Sequence, residues 1–156
     1  MKVVATQAEV EAIIREELES LRQRIIQNID TKGKRASGRT QESLAVNVTT
    51  QGDAVVGELL GRSYFGALET GSKPWSKQYA RPPKFFIDII KEWMIDKGIS
   101  GEAGGIAYSI MKRGSAQFRA GTRTDIYSDE ITTTCANIER RVAGLFEAQI
   151  ISSLLR

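Results

Sequence analysis

From Val10 onward, apolar residues return at Ile14, Leu18, Leu21, Ile25 and Ile29, spaced four, four, three, four and four, while Glu16, Glu17, Glu19, Arg22 and Arg24 occupy the other faces. This period predicts a long amphipathic helix ending near Asp30. Its start is marked by Thr6-Gln7-Ala8-Glu9, a capping box in which hydroxyl and carboxylate each satisfy a free backbone N–H. The next segment, Thr31–Gly38, has two glycines, small polar and basic residues and no apolar period, and is expected to be a mobile loop.

The period then changes to two. Leu44, Val46 and Val48 alternate with Ala45, Asn47 and Thr49, and a second β-rich run, Ala54–Leu60, follows Gln51-Gly52-Asp53. A β-hairpin is predicted. A hairpin alone is marginal in water, so it is expected to pack on helices and to pair with strands of this chain or of another copy. Thr124–Tyr127 is the one other strand candidate.

Pro82-Pro83 is suited to starting a helix, with Phe86, Ile89, Ile90 and Trp93 as its apolar face and Lys97-Gly98 as its end. Trp93 reads as core. Glu102–Arg113 reads as a shorter helix, weakened by Gly104-Gly105 and expected to pack through Ile106, Tyr108, Ile110 and Met111. After a loop, Gly114–Ser128, Asp129 is placed to cap a final helix whose stripe is Ile131, Cys135, Ile138, Val142, Leu145 and Leu154, widened by Phe146 and Ile150. The order helix, hairpin, helix, helix, long helix predicts an α+β fold with helices over a small antiparallel sheet: a long N-terminal helix, the β-hairpin, central helices and a long C-terminal helix. Length and composition point to a single domain over 1–156.

Composition narrows the chemistry. Histidine is absent and Cys135 is the only cysteine, which removes disulfide frameworks, Cys/His zinc sites and any imidazole base. Cys135 reads as a small buried hydrophobe. Met1–Thr6 lacks a signal-peptide core and the densest apolar stretch, Phe85–Ile95, is broken by Asp88, Lys91 and Glu92, so a soluble protein made in the cytoplasm, without a membrane partner, is expected.

Charge is uneven along the chain. Lys32–Arg39, Lys73–Lys84 and Lys112–Arg123 hold 12 of the 22 basic residues and no acid, leaving 10 basic against 19 acidic residues elsewhere. Such loops suit contact with a polyanion or with the acidic face of a neighbouring copy. Trp75 and Tyr79, set among Lys73, Lys77 and Arg81, mix rings and cations as protein interfaces and nucleic-acid surfaces do, with the protein interface favoured because only two rings are available to stack. A metal-dependent nuclease would have to gather Glu69, Asp88 and Lys91, but Asp88 and Lys91 also read as an ordinary helix surface pair.

The segment Tyr64-Phe65-Gly66-Ala67-Leu68-Glu69-Thr70-Gly71, followed by Pro82-Pro83-Lys84-Phe85-Phe86 and preceded by Ser37-Gly38-Arg39-Thr40-Gln41-Glu42-Ser43-Leu44, resembles the head–tail joining and tail-completion proteins of long-tailed phages. The resemblance covers roughly Thr6 to Ile95, and 98–156 is an extension beyond it. It implies a structural virion protein of the neck or tail rather than an enzyme, forming a ring around the DNA channel beside portal, adaptor or tail proteins, with no cofactor and no metal. Leu44, Val46, Val48, Tyr64, Glu69, Gly71, Trp75 and Tyr79 are then the expected subunit contacts. Lys32, Lys34, Arg35 and Arg39 are expected to face the DNA lumen or a docking partner, with only non-specific contact to packaged DNA. A DNA-binding module and a metal-dependent nuclease are the alternatives. Physically, Glu69-Thr70-Gly71 suits a turn in which Gly71 takes a positive φ and Glu69 anchors a backbone N–H or an arginine.

Overall fold

The computed structural model describes residues 6–155; Met1–Ala5, which carry most of the expected leaderless N-terminus, lie outside the described residues. In chain order the elements are α1 (Gln7–Thr31), α2 (Arg39–Glu42), β1 (Ala45–Gln51), β2 (Ala54–Leu60), α3 (Ala67–Thr70), α4 (Lys84–Lys97), α5 (Ala103–Arg113), α6 (Ala116–Ala120) and α7 (Ser128–Leu154). The fold is α+β: long terminal helices and one two-stranded antiparallel sheet. The chain divides into two compact units. The first takes the chain up to Asn28, Ser43–Gly61 and everything from Ile126 on; the second takes Ile29–Glu42 and Arg62–Asp125.

The first unit is two long helices and the hairpin. Helix α1 opens with the predicted capping box: Thr6 N–H donates to Glu9 Oε2 at 2.9 Å, and Glu9 N–H donates to Thr6 Oγ1 at 3.3 Å. Leu18, Leu21 and Ile25 of its apolar stripe are buried. The strands pair from Ala45↔Leu60 to Gln51↔Ala54, leaving a two-residue turn in which Gly52 takes φ +63°, as tight hairpins require. Helix α1 crosses β2 at Gly57, where a Cβ would stand 2.4 Å from Ile14 Cγ2, so glycine allows the close approach. Gln7 Nε2 donates to the Gly52 carbonyl at 2.8 Å and ties the turn to the helix start. Among the described residues no third strand joins the sheet. Thr124–Tyr127, the other strand candidate, forms no ladder; Thr124 N–H instead bonds the Glu69 carbonyl at 2.8 Å.

Helix α7 runs antiparallel to α1 along a polar seam. Asn28 Nδ2 meets the Ile126 carbonyl at 3.1 Å, Arg24 meets Glu130 at 2.6 Å and Thr134 Oγ1 at 2.7 Å, and Arg141 meets Glu17 at 2.9 Å and Glu16 at 2.6 Å. This seam sets the rotation of α7 and corrects the expected stripe. Thr134 is 1% exposed while Cys135 is exposed, because the position facing Arg24 has to accept a hydrogen bond. Asp129 does not cap the helix; Ser128 is its first residue, and Asp129 and Glu130 fall in the first turn, where carboxylates complement the helix dipole.

The second unit centres on α4 and α5. Pro83 stands at the N-cap of α4, and Gly98, at φ +64°, ends it in a Schellman motif: Gly98 N–H bonds the Ile95 carbonyl at 3.1 Å and Ile99 N–H the Met94 carbonyl at 2.8 Å. Ile90 and Met94 pack with Ala103 and Ala107, flanked by Phe86, Ile87, Ile106 and Ile110. The buried stripe of α5 is Ala103, Ala107 and Met111, and Tyr108, expected in the contact, is exposed. Small residues at i and i+4 let the two helices approach closely, which turns the larger Tyr108 outward. Trp93, expected as core, is 37% exposed for the same reason: Ile90 and Met94 face α5. The expected loop Gly114–Ser128 contains α6, capped by Ser115, whose Oγ accepts from Phe118 N–H at 3.3 Å. Residues beyond Gly98 are shared out, α5 and α6 to the second unit and α7 to the first.

Candidate assembly and docking surfaces

Glu69 and Gly71 organise the interior of the second unit. The Glu69 side chain is almost fully buried, with Arg123 Nε 3.7 Å from Oε2; Arg123 also reaches Asp125 at 3.2 Å. The Glu69 carbonyl accepts from Thr124 N–H and from Gln117 Nε2, and the same Gln117 amide reaches Thr124 Oγ1 at 3.2 Å. Gly71 takes φ +79°, and a Cβ there would stand 2.4 Å from Ser115 Oγ and 2.6 Å from Phe118 N. The turn read from Glu69-Thr70-Gly71 is present, and its function within the chain is to seat α6.

The other expected subunit-contact residues fall in several places. Leu44 is buried, and Val46 and Val48 are half-buried in the first unit. Trp75 and Tyr79 are half-buried in an aromatic cluster, Trp75 lying 4.7 Å from Phe86 and 6.3 Å from both Phe85 and Tyr79 between ring centroids. Tyr64 is exposed, its hydroxyl 3.0 Å from Arg62 Nη1 and 3.4 Å from Thr40 Oγ1. Burial alone would raise the Tyr64 phenol, but these two hydrogen bonds and the charges of Arg62 and Arg39 bring it below its ordinary value.

The loop after α1 is tied down by its own cations. Lys32 donates to the Asp125 carbonyl, Lys34 to Gln117 Oε1 at 2.7 Å, Arg35 lies 3.5 Å from Asp30, and Arg39 lies 3.1 Å from Glu92 and 3.9 Å from Asp96. Lys97 Nζ adds a bond to the Gly33 carbonyl at 2.7 Å. The hydrogen bond to Glu92 is the main reason the Arg39 guanidinium holds its proton more tightly than usual. Arg35 and Arg39 thus have counter-charges inside the unit, whereas Lys32 and Lys34 meet neutral oxygens and form no ion pair among the described residues.

Helix α4 carries a surface that the periodicity did not isolate. Phe85, Ile89 and Trp93, at i, i+4 and i+8, are 60%, 55% and 37% exposed and form a ridge on one side of the helix. In the first unit, Ile131, Phe146, Ile150, Ile151 and Leu154 of α7 are likewise exposed. The units also differ in charge: the second holds 15 Lys/Arg against 8 Asp/Glu, a net of +7, and the first holds 7 against 11, a net of −4. Asp88 and Lys91 form the ordinary surface pair, 3.9 Å apart. Among the described residues no group of three or more His, Cys, Asp or Glu side chains stands ready to hold a metal ion, and no helix is long and apolar enough to cross a membrane. No protein-family model, curated protein or solved structure matches the chain.

Proposed function

We propose that this chain is a structural assembly protein of a tailed phage, whose copies join in a ring at the junction of head and tail, next to portal, adaptor or tail proteins, without catalysis. The observation that carries the assembly half of this reading is the α4 ridge. Three large apolar side chains at successive turns, more than a third exposed each, form the kind of patch that a soluble chain keeps for a partner. A second copy is favoured as that partner. Its first unit offers both exposed apolar residues on α7 and a net charge opposite to that of the second unit. A contact between two different surfaces of the same chain is heterologous, and heterologous contacts that close make rings. The location at the neck follows the resemblance of Tyr64–Gly71 and Pro82–Phe86 to head–tail joining proteins. The two open edges of the hairpin are a further place for copies to pair.

Sedimentation velocity on the purified chain tests the assembly. A closed oligomer of one size is expected, reduced to monomer by Phe85→Ser, Ile89→Ser and Trp93→Ser together, with circular dichroism unchanged. A chain that stays monomeric at high concentration, or an oligomer indifferent to the triple substitution, contradicts the proposal.

A further inference from the structure

We propose that the second unit carries a binding surface for a nucleic-acid phosphate backbone, built where residues 70–87 and 103–124 are fastened together. This deepens the assembly reading by naming a partner and rests on that reading only for where the nucleic acid is met. Neither segment contains an Asp or Glu, and together they hold Lys73, Lys77, Arg81, Lys84, Lys112, Arg113, Arg119 and Arg123. Their fastening is specific. Ser115 N–H bonds the Ser72 carbonyl at 2.8 Å, Ser72 N–H bonds Ser115 Oγ at 3.0 Å, Trp75 N–H bonds the Met111 carbonyl at 3.0 Å, and Gln78 Nε2 reaches that carbonyl at 3.3 Å. The third basic span joins them through Lys34 on Gln117 and Lys32 on the Asp125 carbonyl.

The positive charge of this surface is largely unspent. Of the eight cations, Arg123 alone sits in an ion pair among the described residues, with Glu69 and Asp125. Lys77 and Lys112 lie over the Tyr79 and Tyr108 rings, and Arg113 bonds Ser109; these partners are neutral. The side chains of Lys73, Arg81, Lys84 and Arg119 are exposed and make no ion pair or hydrogen bond among the described residues. Gathering like charges has a cost in self-repulsion that a bound polyanion relieves, and released counterions add to the gain. Lysine, four of the seven unpaired cations, is depleted from protein–protein interfaces but serves well as a phosphate contact. Trp75, the one tryptophan in these segments, is engaged by Phe85, Phe86 and Tyr79. Unpaired lysines and arginines contact phosphates, so recognition is of the backbone, which carries no sequence information.

The test is fluorescence anisotropy of a labelled DNA duplex of about 20 base pairs titrated with the full chain across a salt series. Binding that weakens steeply with salt is expected. Lys73→Gln, Arg81→Gln, Lys84→Gln and Arg119→Gln together should lower affinity at low salt at least about tenfold, and should flatten the slope of log K against log salt by about 0.9 for each lost phosphate contact. Arg15→Gln with Arg140→Gln, exposed cations of the first unit, should leave both unchanged. No binding by the unaltered chain, or equal affinity and slope in the quadruple variant, overturns the proposal. So does competition by polyglutamate as effective as that by unlabelled duplex, which would assign the surface to an acidic protein. Sedimentation of the same samples without DNA separates the two readings: lost DNA binding with intact oligomers leaves assembly standing, and monomers that still bind DNA leave the surface standing.

Discussion

At Gly71 two constraints meet, a φ of +79° and a space already filled by Ser115 Oγ and Phe118 N. Gly71→Ala adds backbone strain of order 1–3 kcal/mol and displaces the cap of α6, so a loss of about 2 kcal/mol or more is expected in chemical denaturation. The Glu9 carboxylate is held below its ordinary range first by the Thr6 N–H and then by the Thr6 hydroxyl. Because the folded-state value is the lower one, the stabilisation from ionised Glu9 is full above the ordinary carboxylate range and disappears as pH falls through the folded value. Acidification should therefore fray the start of α1, seen as lower protection of the Glu9 and Val10 amides relative to their intrinsic exchange rates at each pH, and Glu9→Gln should remove that pH dependence. Both residues were legible in the sequence, since a Thr-x-x-Glu box and a Glu-Thr-Gly turn are local devices. Arg123 and Gln117, which complete the Glu69 site, were not, because contacts across about fifty residues leave no period or spacing to read.

Among the elements, both long helices and the hairpin follow from hydrophobic period, caps and turn residues. The rotation of α7 does not, because it is set by Arg24. A guanidinium bonded to Glu130, Ser20 and Thr134 rotates the helix one position away from the stripe that apolar residues alone suggest. Arg24→Leu should cost about 1.5–3 kcal/mol, the usual range for hydrogen bonds to a charged group, and should lower the melting temperature without changing helix content. The short helices α2, α3 and α6 were hidden for a related reason: four or five residues form a turn of helix only where neighbours hold them, as Ser72 and Ser115 hold α6. Gln117→Leu removes donors to the Leu68 and Glu69 carbonyls and the acceptor for Lys34. Faster hydrogen exchange at Gly33 and Lys34 is the expected sign that the loop has been released.

For the whole molecule, segment-by-segment charge becomes a property of folding units, +7 in one and −4 in the other, which no single stretch of sequence displays. That separation and the exposed ridge of Phe85, Ile89 and Trp93 suit a chain that completes its surface with copies of itself. The α+β class was readable from element order, whereas the ridge was not, because Phe86 and Ile90 lie one position from Phe85 and Ile89 and the period alone cannot say which pair α5 covers. Electron microscopy of the particles made when this gene is silenced in the genome that carries it tests the central claim most directly. DNA-filled heads accumulating beside detached tails is the predicted result; intact, infectious virions would contradict it.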